Sequence, residues 1–177
     1  MNFASKIFLV SILALFLGAC ATDTRDEPAE PDTPRQPTVD PRPVDVDRVD
    51  PANFADSRNL DNPDSTLSQR EIYFEFDSAV VRPEYLRIVG AHAAYLRANA
   101  SARMLLEGHA DERGSREYNL GLGDRRGNSV LDLMLAEGAN SGQIEVVSYG
   151  EERPVCRQSS DNCWERNRRV EIVYTAR

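Results

Sequence analysis

The apolar pattern predicts an α+β domain with the element order β-α-β-α-β-β: two helices packed on one face of a small mixed sheet, preceded by a disordered tether. Three observations carry this. Short runs with a two-residue apolar period stand at 72–76 and 104–108. Each is followed by a longer run with a helical apolar stripe, at about 83–100 and 115–137. Residues 21–66 hold eight of the ten prolines and few large apolar groups, too little apolar surface to offset the entropy of ordering them.

The N-terminus is expected to be removed or modified rather than folded. Lys6 supplies a short positive region, and Ile7 to Leu17 is an eleven-residue apolar run, too short to cross a bilayer core of about 30 Å as a helix. Leu17-Gly18-Ala19-Cys20 resembles a bacterial lipobox, in which residues 1–19 are a signal peptide and Cys20 becomes the lipidated first residue. The alternative is an ordinary secretory signal with a cysteine nearby. Each buried CH₂ contributes about 0.8 kcal/mol and one chain anchors only reversibly, so a triacylated Cys20 would be held without a transmembrane helix. Residues 20–66 are then a linker, reaching roughly 140 Å as polyproline II or about 40 Å as a flexible coil.

The head is expected over 67–177. Ile72, Phe74 and Phe76 alternate with Tyr73 and Glu75 in a first strand, ended by Asp77-Ser78. Pro83 suits a first helical turn, after which Leu86, Val89, Ala93 and Leu96 form one stripe. Met104, Leu106 and Gly108 mark the second strand. The second helix, about 115–137, carries Val130, Leu131, Met134 and Leu135 and stops at Gly138. Its Gly121, Gly123 and Gly127 each cost up to about 1 kcal/mol against alanine, so close packing onto the sheet is expected to compensate, a looser first turn being the alternative. Residues 144–149 and 169–174 supply the last two strands.

The formal net charge is −8 with a pI near 4.8, which argues against a nucleic-acid partner. With Cys20 committed to lipid, Cys156 and Cys163 remain in an exported domain, flanking a polar loop, and a disulfide is expected. It would contribute roughly 2–3 kcal/mol in the chain-entropy picture. Two free thiols, or half of a metal site needing further ligands, are the alternatives; neither His92 nor His109 is nearby in sequence. No nucleophile–base pair, metal-ligand cluster or phosphate-binding glycine loop stands out.

The most informative run is Leu106 to Arg126, LEGHADERGSREYNLGLGDRR. Asp111 lies just past an apolar strand, and Arg126 lies inside the helix that follows. Opposite charges on a rigid turn suit a zwitterion, with the acid taking an ammonium and the arginine fork taking a carboxylate. Diaminopimelic acid of a peptidoglycan stem is such a group. Arg125 points about 100° away around the helix. His109, Arg168 and Arg169 are read as structural.

This run resembles the C-terminal domain of the OmpA family. Three further runs resemble the same domain in the same order: YFEFDSAVVRPE from Tyr73, VVSYGEERP from Val146 and NRRVEIVY from Asn167. The cysteine pair departs from the commonest pattern of the lipid-anchored members. The resemblance implies diaminopimelate binding by Asp111 and Arg126, with Asn119 and Asp77 lining the same pocket, and no cofactor. It implies an outer-membrane lipoprotein on the periplasmic face, favoured over the inner membrane because Ala21 rather than aspartate follows Cys20. It also implies a TolB-like β-propeller and other Tol proteins as partners. The alternatives are a wall-binding lipoprotein outside the Tol system and a peptidoglycan hydrolase using carboxylates among Glu107, Asp111 and Glu112.

Overall fold

The computed structural model describes residues 54–177. The signal segment, Cys20 and the tether up to residue 53 lie outside the described residues. The fold is the expected α+β arrangement. Four strands, β1 (Glu71–Tyr73), β2 (Arg103–His109), β3 (Ile144–Gly150) and β4 (Arg169–Ala176), form one sheet in the order β1-β4-β2-β3. The sheet is mixed: β4 is antiparallel to both β1 and β2, and β2 is parallel to β3. A parallel pair needs a long crossover, and α2 (Arg116–Ala136) supplies it. The other long helix, α1 (Leu86–Ala98), buries Val89, Ala93 and Leu96 in the same core as Met104, Leu106, Val170 and Ile172.

The glycines of α2 separate by role. A Cβ on Gly123 would lie 2.3 Å from the Ser148 hydroxyl and 2.8 Å from the Gly108 carbonyl oxygen; one on Gly127 would lie 2.5 Å from a Val146 methyl. Helix and sheet backbones touch there, as the expected compensation requires. Gly121 is different, with only the end of Arg125 nearby, at 3.4 Å.

Four expectations are corrected. The folded part starts before residue 67, because Phe54, Leu60 and Leu67 are buried in the core, and Asp56 and Ser65 cap short 3₁₀ turns at Ser57–Leu60 and Thr66–Ser68. The first strand ends at Tyr73, and Phe76 is 57% exposed rather than in the core. Leu86 is also exposed, because Pro83–Tyr85 forms a 3₁₀ turn and α1 begins only at Leu86. Its buried face is completed instead by Ile88, His92 and Tyr95. Finally, a third helix, α3 (Asp161–Asn167), stands where only a polar loop was expected.

Candidate ligand-binding site

The site is built where two strands stop. The pairing of β2 with β3 slips between Gly108 and His109, and Gly150 adopts φ +52°. The Ala110 amide donates to the Gly150 carbonyl at 2.8 Å, so Asp111 leaves the sheet at the mouth of this bulge, a common way to aim a side chain. After β1, Asp77 holds φ +55°, a left-handed conformation that aspartate tolerates better than most residues. That turn presents the carbonyls of Glu75 and Ser78 inward.

Arg126 binds them. Its Nε donates to the Ser78 carbonyl at 2.8 Å, Nη2 to Glu75 at 3.1 Å and Nη1 to His109 at 2.8 Å. Phe74 lies under the guanidinium, 5.2 Å from its centre. The side chain is wholly buried. Burial, followed by the charge of Arg168, lowers its pKa to about 10, so it stays cationic at neutral pH. Among the described residues three of its five N–H groups are engaged, which leaves one N–H on each Nη.

Asp111 is 4% exposed. One oxygen accepts from the Arg113 amide at 3.1 Å and Arg113 Nε at 3.0 Å; the other accepts from Arg113 Nη2 at 2.7 Å and, more weakly, Arg168 Nη1 at 3.4 Å. Burial pushes the carboxyl up, but the hydrogen bonds and charge of Arg113, helped by Arg168, outweigh it and hold the pKa below its ordinary value.

The residues expected to bind share one pocket of about 200 Å³, lined by Asp77, Asp111, Asn119 and Arg126 together with Phe76, Arg113, Gly114, Tyr118 and Leu122. The Tyr118 hydroxyl donates to Asp77 and the Asn119 amide donates to Glu151. Ser115 caps α2 by accepting from the Tyr118 amide at 3.2 Å, so one donor of that helix start is taken within the chain. Arg125 is exposed, off the pocket, near the Tyr118 ring.

Sequence reasoning missed Arg113 and underrated Arg168. Arg168 does not face solvent: its Nε donates to the Phe74 carbonyl at 2.9 Å while Nη1 reaches Asp111. A signal for Arg113 was present in its spacing, since an aspartate commonly accepts from the amide two residues on. Cys156 and Cys163 are joined as a disulfide. His109 is buried and stacks on Tyr149. Glu107, His109 and Glu171 place ligand atoms within 4.8 Å of one another, but Arg153 and Arg169 sit against the two glutamates.

Comparison with known proteins gives a consistent result. The OmpA family model matches residues 73–168. The peptidoglycan-associated lipoprotein of Pseudomonas putida is 43% identical over 131 residues, covering 70% of this chain and 78% of the relative. That of Haemophilus influenzae is 42% identical over 110 residues, 61% and 72% of the two chains. Among solved structures, the peptidoglycan-associated lipoprotein from Burkholderia pseudomallei superposes with a TM-score of 0.65 at 38% identity, covering 66% of this chain and 99% of that one. The C-terminal domain of Helicobacter pylori MotB, at 20% identity and a TM-score of 0.57 over 62% of this chain and 86% of that one, shares the fold.

Proposed function

The chain belongs to the OmpA family, and from that premise we propose that it binds peptidoglycan non-covalently through the diaminopimelate of the stem peptide. The observation that carries this is the meeting of Asp111 and Arg126 in one pocket, with Asp77 and Asn119 beside them. Arg126 offers a carboxylate two N–H groups from a buried, pre-oriented fork. Asp111 and Asp77 offer the ammonium two acids. Asp111 is already oriented by Arg113, so little ordering is left to be done on binding.

The wider role follows from the same family. Cys20 carries the lipid anchor in the outer membrane, residues 20–53 span the gap to the wall, and the head holds the wall from the periplasmic side. Membership of a Tol-Pal system, with a TolB-like β-propeller as partner and a role in envelope integrity and cell division, completes the proposal. A hydrolase is disfavoured on chemical grounds. A glycosidase acid needs a raised pKa, whereas the arginines hold Asp111 down, and Glu107 on β2 lies 3.9 Å from Arg153 in the loop after β3.

Co-sedimentation of the full chain, kept in detergent, with purified sacculi tests the wall-binding claim. Wild type should sediment and release no soluble fragments. Asp111→Asn removes a charge-assisted hydrogen bond worth about 1.5–3 kcal/mol and should weaken binding roughly tenfold or more, while Arg125→Ala should bind like wild type. Equal binding to sacculi carrying lysine in place of diaminopimelate would refute the reading, because lysine lacks the carboxylate assigned to Arg126.

A further inference from the structure

The disulfide loop and the pocket are joined by one side chain. Trp164, in α3 directly after Cys163 of the disulfide, donates its indole N–H to Glu112 Oε1 at 3.0 Å. The central carbon of the Arg113 guanidinium lies 4.3 Å from the centre of the Trp164 ring and 4.0 Å from that of the Phe76 ring. In contact with both rings, Arg113 turns its Nε–Nη2 edge onto both oxygens of Asp111. Asn167 ties the far end of α3 to the same loop, accepting from the Val155 and Cys156 amides at 3.0 Å each and donating to the Cys156 carbonyl at 2.7 Å.

We infer that Trp164, kept in place by the Cys156–Cys163 disulfide, is a positioning residue for ligand binding: it orients Asp111 through Arg113 without reaching the ligand itself. This rests on the wall-binding reading of the pocket. Arg113 is partly exposed and has many rotamers, so its amide alone would hold only one Asp111 oxygen. Contact with two aromatic rings restricts that freedom before the ligand arrives. The disulfide acts at one remove, because a seven-residue helix has little stability of its own and its first turn is pinned through Cys163.

The test uses the full chain in detergent, with a soluble disaccharide-tripeptide ending in diaminopimelate as the probe. A cation–π contact at a partly exposed site predicts a loss of about two- to fivefold in affinity for Trp164→Ala. Trp164→Phe, which keeps a ring face but no N–H, should recover most of it. The paired Cys156→Ser and Cys163→Ser change should weaken binding in the same direction. A second readout needs no ligand: the Asp111 carboxyl, followed by carbon NMR through an acid titration, should titrate higher in Trp164→Ala than in wild type, because its Arg113 bonds are made less of the time. Trp164 is the only tryptophan in the chain, so wild-type emission reports this contact. Folded Trp164→Ala with wild-type affinity and a wild-type Asp111 titration would overturn the inference, as would Trp164→Phe behaving like Trp164→Ala. If wild type fails to bind the probe, the wall-binding reading falls, and the Asp111 titration alone then decides whether Trp164 orients this side chain.

Discussion

Arg126 has two jobs that pull its mutants in different directions. It is the proposed carboxylate fork, and it also ties the carbonyls of Glu75, Ser78 and His109, from two separate segments, to one helix. Arg126→Ala would leave three carbonyls short of a partner, each costing about 1–3 kcal/mol when buried, and open a cavity as well. It should therefore destabilise the domain by more than about 3 kcal/mol, measured as a fall in the urea midpoint. Arg126→Lys keeps the charge but cannot span three acceptors and a carboxylate; it should fold, with a smaller loss, and bind sacculi poorly. A stable, monomeric Arg126→Ala with a wild-type midpoint would rule out the tying role. That Asp111 and Arg126 share one pocket was legible in the sequence, because both lie in one local run that matches a family pattern. The tying role was not, because its acceptors lie up to 51 residues away and are backbone atoms, which carry no residue signature. The same reason hid the Arg168 contact with Asp111, across 57 residues.

At the scale of elements, both long helices and all four strands could be read from the sequence, the first strand with its end set three residues too far. The failures have local causes. Phe76 continues the two-residue alternation, but the left-handed Asp77 turns the chain early and leaves that ring beside Arg113. The short α3 has no apolar stripe to announce it; Cys163 and Asn167 are its buried residues, and they hold it by a disulfide and side-chain hydrogen bonds. The glycines of α2 give a sharp prediction. At Gly121 a methyl meets only the flexible end of Arg125, so Gly121→Ala should stabilise by up to about 1 kcal/mol through helix propensity and a less mobile unfolded chain. At Gly123 a methyl would overlap the Ser148 hydroxyl and press on the Gly108 backbone. Gly123→Ala should push α2 off the sheet and cost on the order of 1–3 kcal/mol. Urea unfolding of the two variants should shift the midpoint in opposite directions; shifts of the same sign would show that α2 does not lie this close to β2 and β3.

For the molecule as a whole, the two histidines make acid the natural stress. His92 is buried in the core, its Nδ1 2.8 Å from the Tyr174 hydroxyl and its Nε2 2.9 Å from the Gln69 carbonyl, an arrangement satisfied by the neutral ring with the proton on Nε2. Burial lowers its pKa to about 4. His109 is lowered to about 3, by burial first and then by the charges of Arg169 and Arg153. In the unfolded chain both return to about 6.5. Between that value and the folded ones the unfolded state binds more protons, so stability falls as the pH drops from about 6.5 towards 4 and is fully regained above 7. At pH 5 the loss is about 2 kcal/mol for each histidine. Asp111 behaves differently: its carboxyl is held below the ordinary carboxylate value, so its charge, and the pocket it serves, outlast this window, and its own contribution is lost only at lower pH. Urea unfolding at pH 7 and pH 5 should therefore show a clear drop in stability, while the fraction that remains folded at pH 5 still sediments with sacculi. His92→Gln should roughly halve the difference between the two pH values, since one of two similar contributions is removed. Equal stability at pH 7 and pH 5 would mean that these rings are hydrated in solution and not buried neutral in the core.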